Sequence, residues 1–128
     1  MSPTIPNLID EVCGLLNSGI SEVFTTMFGL EVKAAVPRDF DAPSETLVAG
    51  SVGFIGDVSG IVYIHVTAAF ARTLASRMLG LAEAEMDGEE MVNDVIGELT
   101  NMIVGSVKSR LCDSGSPCVL TIPSIVRG

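Results

Sequence analysis

The chain is poor in the side chains that most catalytic chemistry needs. It has one histidine, His65, and three cysteines, Cys13, Cys112 and Cys118, with no CxxC pair among them. One imidazole and scattered thiols do not assemble a zinc site of the ordinary type. An odd set of unpaired cysteines reads as reduced thiols in a cytosolic protein. Positive charge is scarce as well. Seven Lys and Arg face sixteen Asp and Glu, for a net charge of −9. That balance opposes nucleic acid and anionic membrane as partners, serves solubility, and permits a basic partner surface. No apolar run approaches the roughly 18–20 residues of a membrane span. The opening Met-Ser-Pro-Thr-Ile-Pro has no basic n-region and no apolar h-region, so no secretory signal is expected there. There is no GxxxxGK[ST], no GxGxxG opening a helix, no GxSxG and no Ser-His-acid set. His65 reads as a strand-face histidine without a catalytic role. The glycines at 50, 53, 56 and 60 read as strand and hairpin punctuation. Nothing in this inventory is a nucleophile, a metal site or a cofactor site, so any catalysis must work by positioning.

What is present is a core. With 128 residues, 48% of them apolar, and a mean hydropathy of +0.51, the chain suits one domain over residues 1–128. Leu8, Ile9, Val12, Leu15, Leu16, Ile20, Val23, Phe24 and Met27 recur at helical spacing and predict a helix over 5–28, capped by Gly29. Residues 30–36 alternate and predict a strand stopped by Pro37, followed by a loop over 38–45. Strands are expected at 46–55 and 61–66, joined by Gly56-Asp57-Val58-Ser59-Gly60 as a hairpin turn. A short helix at 68–79 takes Thr67 as its N-cap and Gly80 as its stop. A long helix opens at Asp87, with Glu90 completing a capping-box arrangement, and runs to about Cys112. A last strand is expected at 118–122, then Pro123 and a short tail. The fold class is therefore α+β: an antiparallel sheet with two long helices and one short helix. The apolar face of each long helix should lie on the sheet, with the polar stripes toward solvent.

Those stripes are the informative part. At about 100° per residue, Asp94, Glu98, Asn101, Gly105 and Lys108 fall in one narrow line of the second long helix. Val92, Val95, Ile96, Leu99, Ile103 and Val107 fall opposite. Gly97 and Gly105 are both read onto the outer part. A glycine inside a helix costs about 1 kcal/mol against alanine, and close approach of another body to the backbone is one reason to accept that cost. In the first helix Glu11, Gly14, Ser18, Glu22 and Thr25 form a similar line. Ser18-x3-Glu22-x2-Thr25 repeats the spacing of Asp94-x3-Glu98-x2-Asn101, a weak α–β duplication in which only the second copy has an asparagine. An amide accepts from a water through its oxygen and donates through its NH2, and positioning carries much of phosphoryl transfer. On the residues alone, a solvated polar helix face explains the same stripe.

The wording Ile96-Gly97-Glu98-Leu99-Thr100-Asn101-Met102-Ile103-Val104-Gly105, then Lys108 and Pro123, resembles the CheC/CheX/FliY family of chemotaxis phosphatases, and its CheX branch in particular. Val23-Phe24-Thr25-Thr26-Met27-Phe28-Gly29-Leu30, Gly56-Asp57-Val58-Ser59-Gly60-Ile61-Val62 and Ala75-Ser76-Arg77-Met78-Leu79-Gly80 resemble the same branch. The likeness extends over most of residues 5–128. It implies hydrolysis of the aspartyl phosphate of a CheY-type response regulator. In that family the acid, here Glu98, engages a lysine of the regulator, and the asparagine, here Asn101, orients the attacking water. It implies Asp94, Gly105 and Lys108 as secondary or partner-binding positions. No cofactor is then bound by this chain, and magnesium is expected on the partner regulator. The expected partner is a phosphorylated receiver domain in the cytoplasm, with no nucleic acid or membrane, and a homodimer is a further expectation.

Three departures accompany the resemblance. The spacing from Asn101 to Pro123 is one residue shorter than in the CheC pattern. Thr25 replaces asparagine in the first copy, as in a one-site member. The chain stops at Gly128, where CheX-like proteins continue with further strands, which marks a short form or a cut one. Two other readings stay open: a non-catalytic binding module for a response regulator or a flagellar or signalling component, and a domain that oligomerises through its sheet edge.

Overall fold

The computed structural model describes residues 5–35, 46–56, 59–86, 88–113, 115 and 118–128, with side chains from residue 9 onward. Helix α1 (Ile5–Val23) runs into a π-helical turn (Phe24–Phe28). Then come β1 (Leu47–Gly56), β2 (Gly60–Thr67), α2 (Ala68–Leu79), a 3-10 turn (Glu83–Glu85), α3 (Glu90–Asp113), β3 (Cys118–Leu120) and β4 (Ser124–Arg127).

Strand β1 is the spine of the sheet. It pairs antiparallel with β2 along one edge and with β3 and then β4 along the other. Strand alternation puts Val48, Gly50 and Val52 on the helix side, where all three are buried. The opposite side carries Ala49, Ser51, Gly53 and Ile55, beside Ile61, Tyr63 and His65 of β2. His65 is exposed there and stacks on Tyr63 with ring centroids 6.2 Å apart.

The core lies between β1, α2 and α3. Leu74, Ile96, Leu99, Ile103, Val48, Val52, Val92 and Val104 are its largest fully buried apolar side chains. The termini of α2 follow the residues expected to set them. Thr67 Oγ1 accepts from the Phe70 N–H at 3.1 Å, and Gly80 ends the helix at φ 68°. Gly29 likewise ends the first helix at φ 64°, its N–H bonded to the Thr25 carbonyl at 3.2 Å.

Several expectations need correction. The first helix does not stay α-helical to residue 28, because its last turn opens to π geometry with Phe24 and Phe28 both turned to the core. Residues 30–35 form no strand. Their alternation is real, since Leu30 and Val32 pack against the core while Glu31 and Lys33 are exposed. Alternation reports which side meets the core, however, and a strand also needs a partner edge. Both edges of β1 are taken, and residues 30–35 pair with none of the outer strands.

The first long helix does not lie on the sheet. It packs on α3, with the buried Gly19 against Ile103 and Ser106: a Cβ there would meet the Ile103 carbonyl oxygen at 3.5 Å, an ordinary contact. The last expected strand ends at Leu120 rather than 122, and the supposed tail is β4. Its pairing continues to the mutual bonds of Leu47 and Gly128, at 3.2 and 3.1 Å. The expected loop at 38–45, the turn residues Asp57 and Val58, and the Asp87 cap lie outside the described residues.

Candidate functional site on the outer face of α3

Helix α3 is held from several sides. Its inner face, Val92, Val95, Ile96, Leu99, Ile103 and Val107, is buried as the periodicity requires. Its first turns are tied to β4 by Arg127, whose Nε donates to Asn93 Oδ1 at 2.7 Å and lies 3.5 Å from Glu89 Oε2. On the outer face Asp94 and Glu98 are exposed, and Asn101, Gly105 and Lys108 are half-buried. The five predicted site residues thus share one stripe, which at about 1.5 Å per residue is roughly 20 Å long. Among the described residues, neither the Glu98 carboxylate nor the Asn101 amide is engaged in a hydrogen bond or ion pair. Both are available to a partner.

The two glycines of this helix have different surroundings. Gly97 is buried, with a Cβ there meeting Ile125 and Pro123 at 3.8 and 3.9 Å, so its placement on the outer part is corrected: it seats β4. A Cβ at Gly105 would meet nothing within 4 Å. Gly105 is therefore no helix-packing glycine, and its backbone is open to an approaching body. The α1 stripe, Glu11, Gly14, Ser18, Glu22 and Thr25, is exposed and adjoins that of α3. Their seam is a depression of about 280 Å³ lined by Glu22, Thr26, Met27, Met102, Gly105 and Ser106. Across its rim Arg110 lies 3.6 Å from Glu22.

This seam depression is not lined by Glu98 or Asn101. The acid and the amide stand on the outside of a helix. Such a pair cannot enclose a small molecule as concave sites do, but it can enter a cleft that a partner provides. Among the described residues no group of three or more His, Cys, Asp or Glu is placed to hold a metal, and no helix is long and apolar enough to cross a membrane. The thiols of Cys13 and Cys112 are exposed and that of Cys118 is buried.

Reading the sequence missed the seat of this helix. Gly50, taken as strand punctuation, faces Thr100 directly beneath the Glu98–Asn101 turn. A glycine inside a strand pattern is a signal of close approach, but it does not say what approaches.

Solved structures share this architecture. CheX of Vibrio vulnificus is 28% identical with a TM-score of 0.77, the match covering 92% of this chain and 75% of that one. A CheC-like superfamily protein of a Shewanella species is 28% identical with a TM-score of 0.76, over 92% and 77% of the two chains. CheX of Borrelia burgdorferi, solved in complex with CheY, BeF3 and Mg2+, is 23% identical and superposes with a TM-score of 0.73 over 90% and 75%. Among curated proteins, none matches the chain. The class is thus the CheC-like α+β fold, with its helices on one side of an antiparallel sheet. Residues 48–128 match the family model of the chemotaxis phosphatase CheX, and the chain belongs to that family.

Proposed function

We propose that the chain hydrolyses the aspartyl phosphate of a CheY-type receiver domain, with the α3 stripe entering the receiver's active-site cleft. The observation that carries this reading is the pair Glu98 and Asn101, unengaged and one turn apart on the exposed face of a helix whose every other face is packed. The Borrelia relative's complex with CheY supports the choice of partner. There BeF3 stands in for the phosphoryl group.

In the reaction, the Asn101 side-chain oxygen accepts a hydrogen bond from a water and aims its oxygen at phosphorus, opposite the aspartyl oxygen. The Asn101 NH2 is free to donate to a phosphoryl oxygen. The water oxygen bonds to phosphorus as the P–O bond to the aspartate breaks. The products are a restored receiver carboxylate and inorganic phosphate, with the water's proton passing to phosphate or solvent. A loose transition state asks for little covalent help, so an orienting amide suffices where no nucleophile exists. Glu98 engages the receiver lysine that otherwise contacts the phosphate. Magnesium belongs to the receiver, and none is assigned to this chain. Asp94 and Lys108 meet the receiver at the two ends of the stripe, and Gly105 lets its backbone come close. The site of action is the cytoplasm.

A timed dephosphorylation of a phosphorylated receiver, with and without the protein, tests the proposal. The protein shortens the phosphate lifetime, and Asn101→Ala lowers that acceleration about 100-fold or more, the scale of losing a positioned polar group at a reacting centre. No acceleration, or equal acceleration by Asn101→Ala, contradicts it. Binding of the phosphorylated receiver with unchanged phosphate lifetime would make the chain a binding module instead.

A further inference from the structure

We infer that Gly50 and Thr100 form a steric seat that sets the position of Asn101, and that both are positioning residues for the reaction. This inference rests on the role proposed for Asn101. Thr100 precedes Asn101 on α3 and points the opposite way, into the core, where it is fully buried. Its Oγ1 donates to the Ile96 carbonyl at 2.7 Å, which satisfies the hydroxyl within its own helix. The side chain meets β1 at Gly50. A Cβ built on Gly50 would overlap Thr100 Oγ1, lie 3.2 Å from Thr100 Cβ and lie 3.4 Å from Ile96 Cγ2.

Neither side of this contact can yield easily. Gly50 is registered with Ile64 of β2 on one side and with Ile125 of β4 on the other, so the strand is held at both edges. Thr100 is β-branched, with two χ1 rotamers open to it in a helix, has no exposed surface and is bonded to Ile96. Crowding is therefore relieved by moving α3 away from the sheet, and Asn101 moves with it. Gly97 faces Ile125 of β4 and Gly19 of α1 faces Ile103 and Ser106, so α3 also meets its neighbours at these two points.

Displacement of the amide bears on the chemical step more than on docking. Receiver binding is spread over about 20 Å of helix face, whereas attack in line needs the water within a narrow geometry. A misplacement of about 1 Å can cost on the order of 100-fold in rate.

The experiment is steady-state phosphate release from a phosphorylated receiver, giving kcat and KM for the wild type, Gly50→Ala, Gly50→Ala/Thr100→Ala and Asn101→Ala. Gly50→Ala is expected to lower kcat about 10- to 100-fold while KM changes less than about threefold. The added Thr100→Ala removes the opposing hydroxyl and methyl and restores most of the lost kcat. A folded Gly50→Ala protein with unchanged kcat overturns the inference. So does a loss confined to KM, or a loss that Thr100→Ala does not relieve. Should Gly50→Ala fail to fold, Thr100→Val sets a methyl group against Gly50 in place of the hydroxyl. A kcat loss of about threefold or more without a KM rise then supports the seat, and an unchanged kcat overturns it. Asn101→Ala separates the two levels. If that variant keeps full activity, the site assignment fails. If it is inactive while Gly50→Ala is normal, only the seat fails.

Discussion

The two long helices carry polar stripes of the same spacing and differ in what lies beneath them. Helix α3 meets all four strands, α1 and α2, and buries ten of its residues. Among the described residues, helix α1 packs on α3 alone apart from its own π turn. The stripe Asp94, Glu98, Asn101 is therefore mounted on a part that cannot move without disturbing the core. The stripe Ser18, Glu22, Thr25 is mounted on a peripheral one. The third position of the outer copy differs twice over: Thr25 replaces the amide, and it sits in the π turn, where side chains no longer follow α-helical spacing. A site that works by positioning needs a rigid mount, and only α3 supplies one.

That contrast can be broken first at the core. Leu99 lies beneath the Glu98–Asn101 turn and is fully buried, so Leu99→Ala should cost about 2–5 kcal/mol in denaturant unfolding. Ile9 of α1 is 56% exposed, and Ile9→Ala should stay within about 0.5 kcal/mol, as surface substitutions do. Equal costs would mean that α1 is as firmly mounted as α3. A smaller effect is expected at the open glycine. Gly105→Leu fills space that nothing occupies, so the fold should tolerate it while KM for the phosphorylated receiver rises about tenfold, or about 1.4 kcal/mol of lost docking. An unchanged KM would remove Gly105 from the docking face. The smallest effect is expected at the outer copy. Thr25→Asn supplies the missing amide but not the mount, and phosphate release should rise less than about twofold. A larger gain would show that side-chain identity alone separates the two stripes.

Much of this arrangement is legible in the residues. The apolar set from Val92 to Val107 has one strong period, so α3 and its outward stripe can be read directly. Both ends of α2 can be read as well, because Thr67 and Gly80 act within their own turns. What escaped depends on distant partners. Residues 30–35 show strand alternation, but they pair with no strand of the sheet. Residues 124–127 form a strand because β1 offers an edge there, which a four-residue stretch after Pro123 does not announce. The Gly50–Thr100 contact joins residues 50 apart. Nothing near Gly50 says that a helix comes down on it, and nothing near Thr100 says that its neighbour Asn101 depends on the fit.

The most direct test of the central claim compares the two stripes in one assay: phosphate release from a phosphorylated receiver by the wild type, Asn101→Ala and Thr25→Ala, each checked for folding. Asn101→Ala is expected to lose about 100-fold or more while Thr25→Ala remains within about twofold of the wild type. Retained activity in Asn101→Ala, or an equal loss in Thr25→Ala, would contradict it.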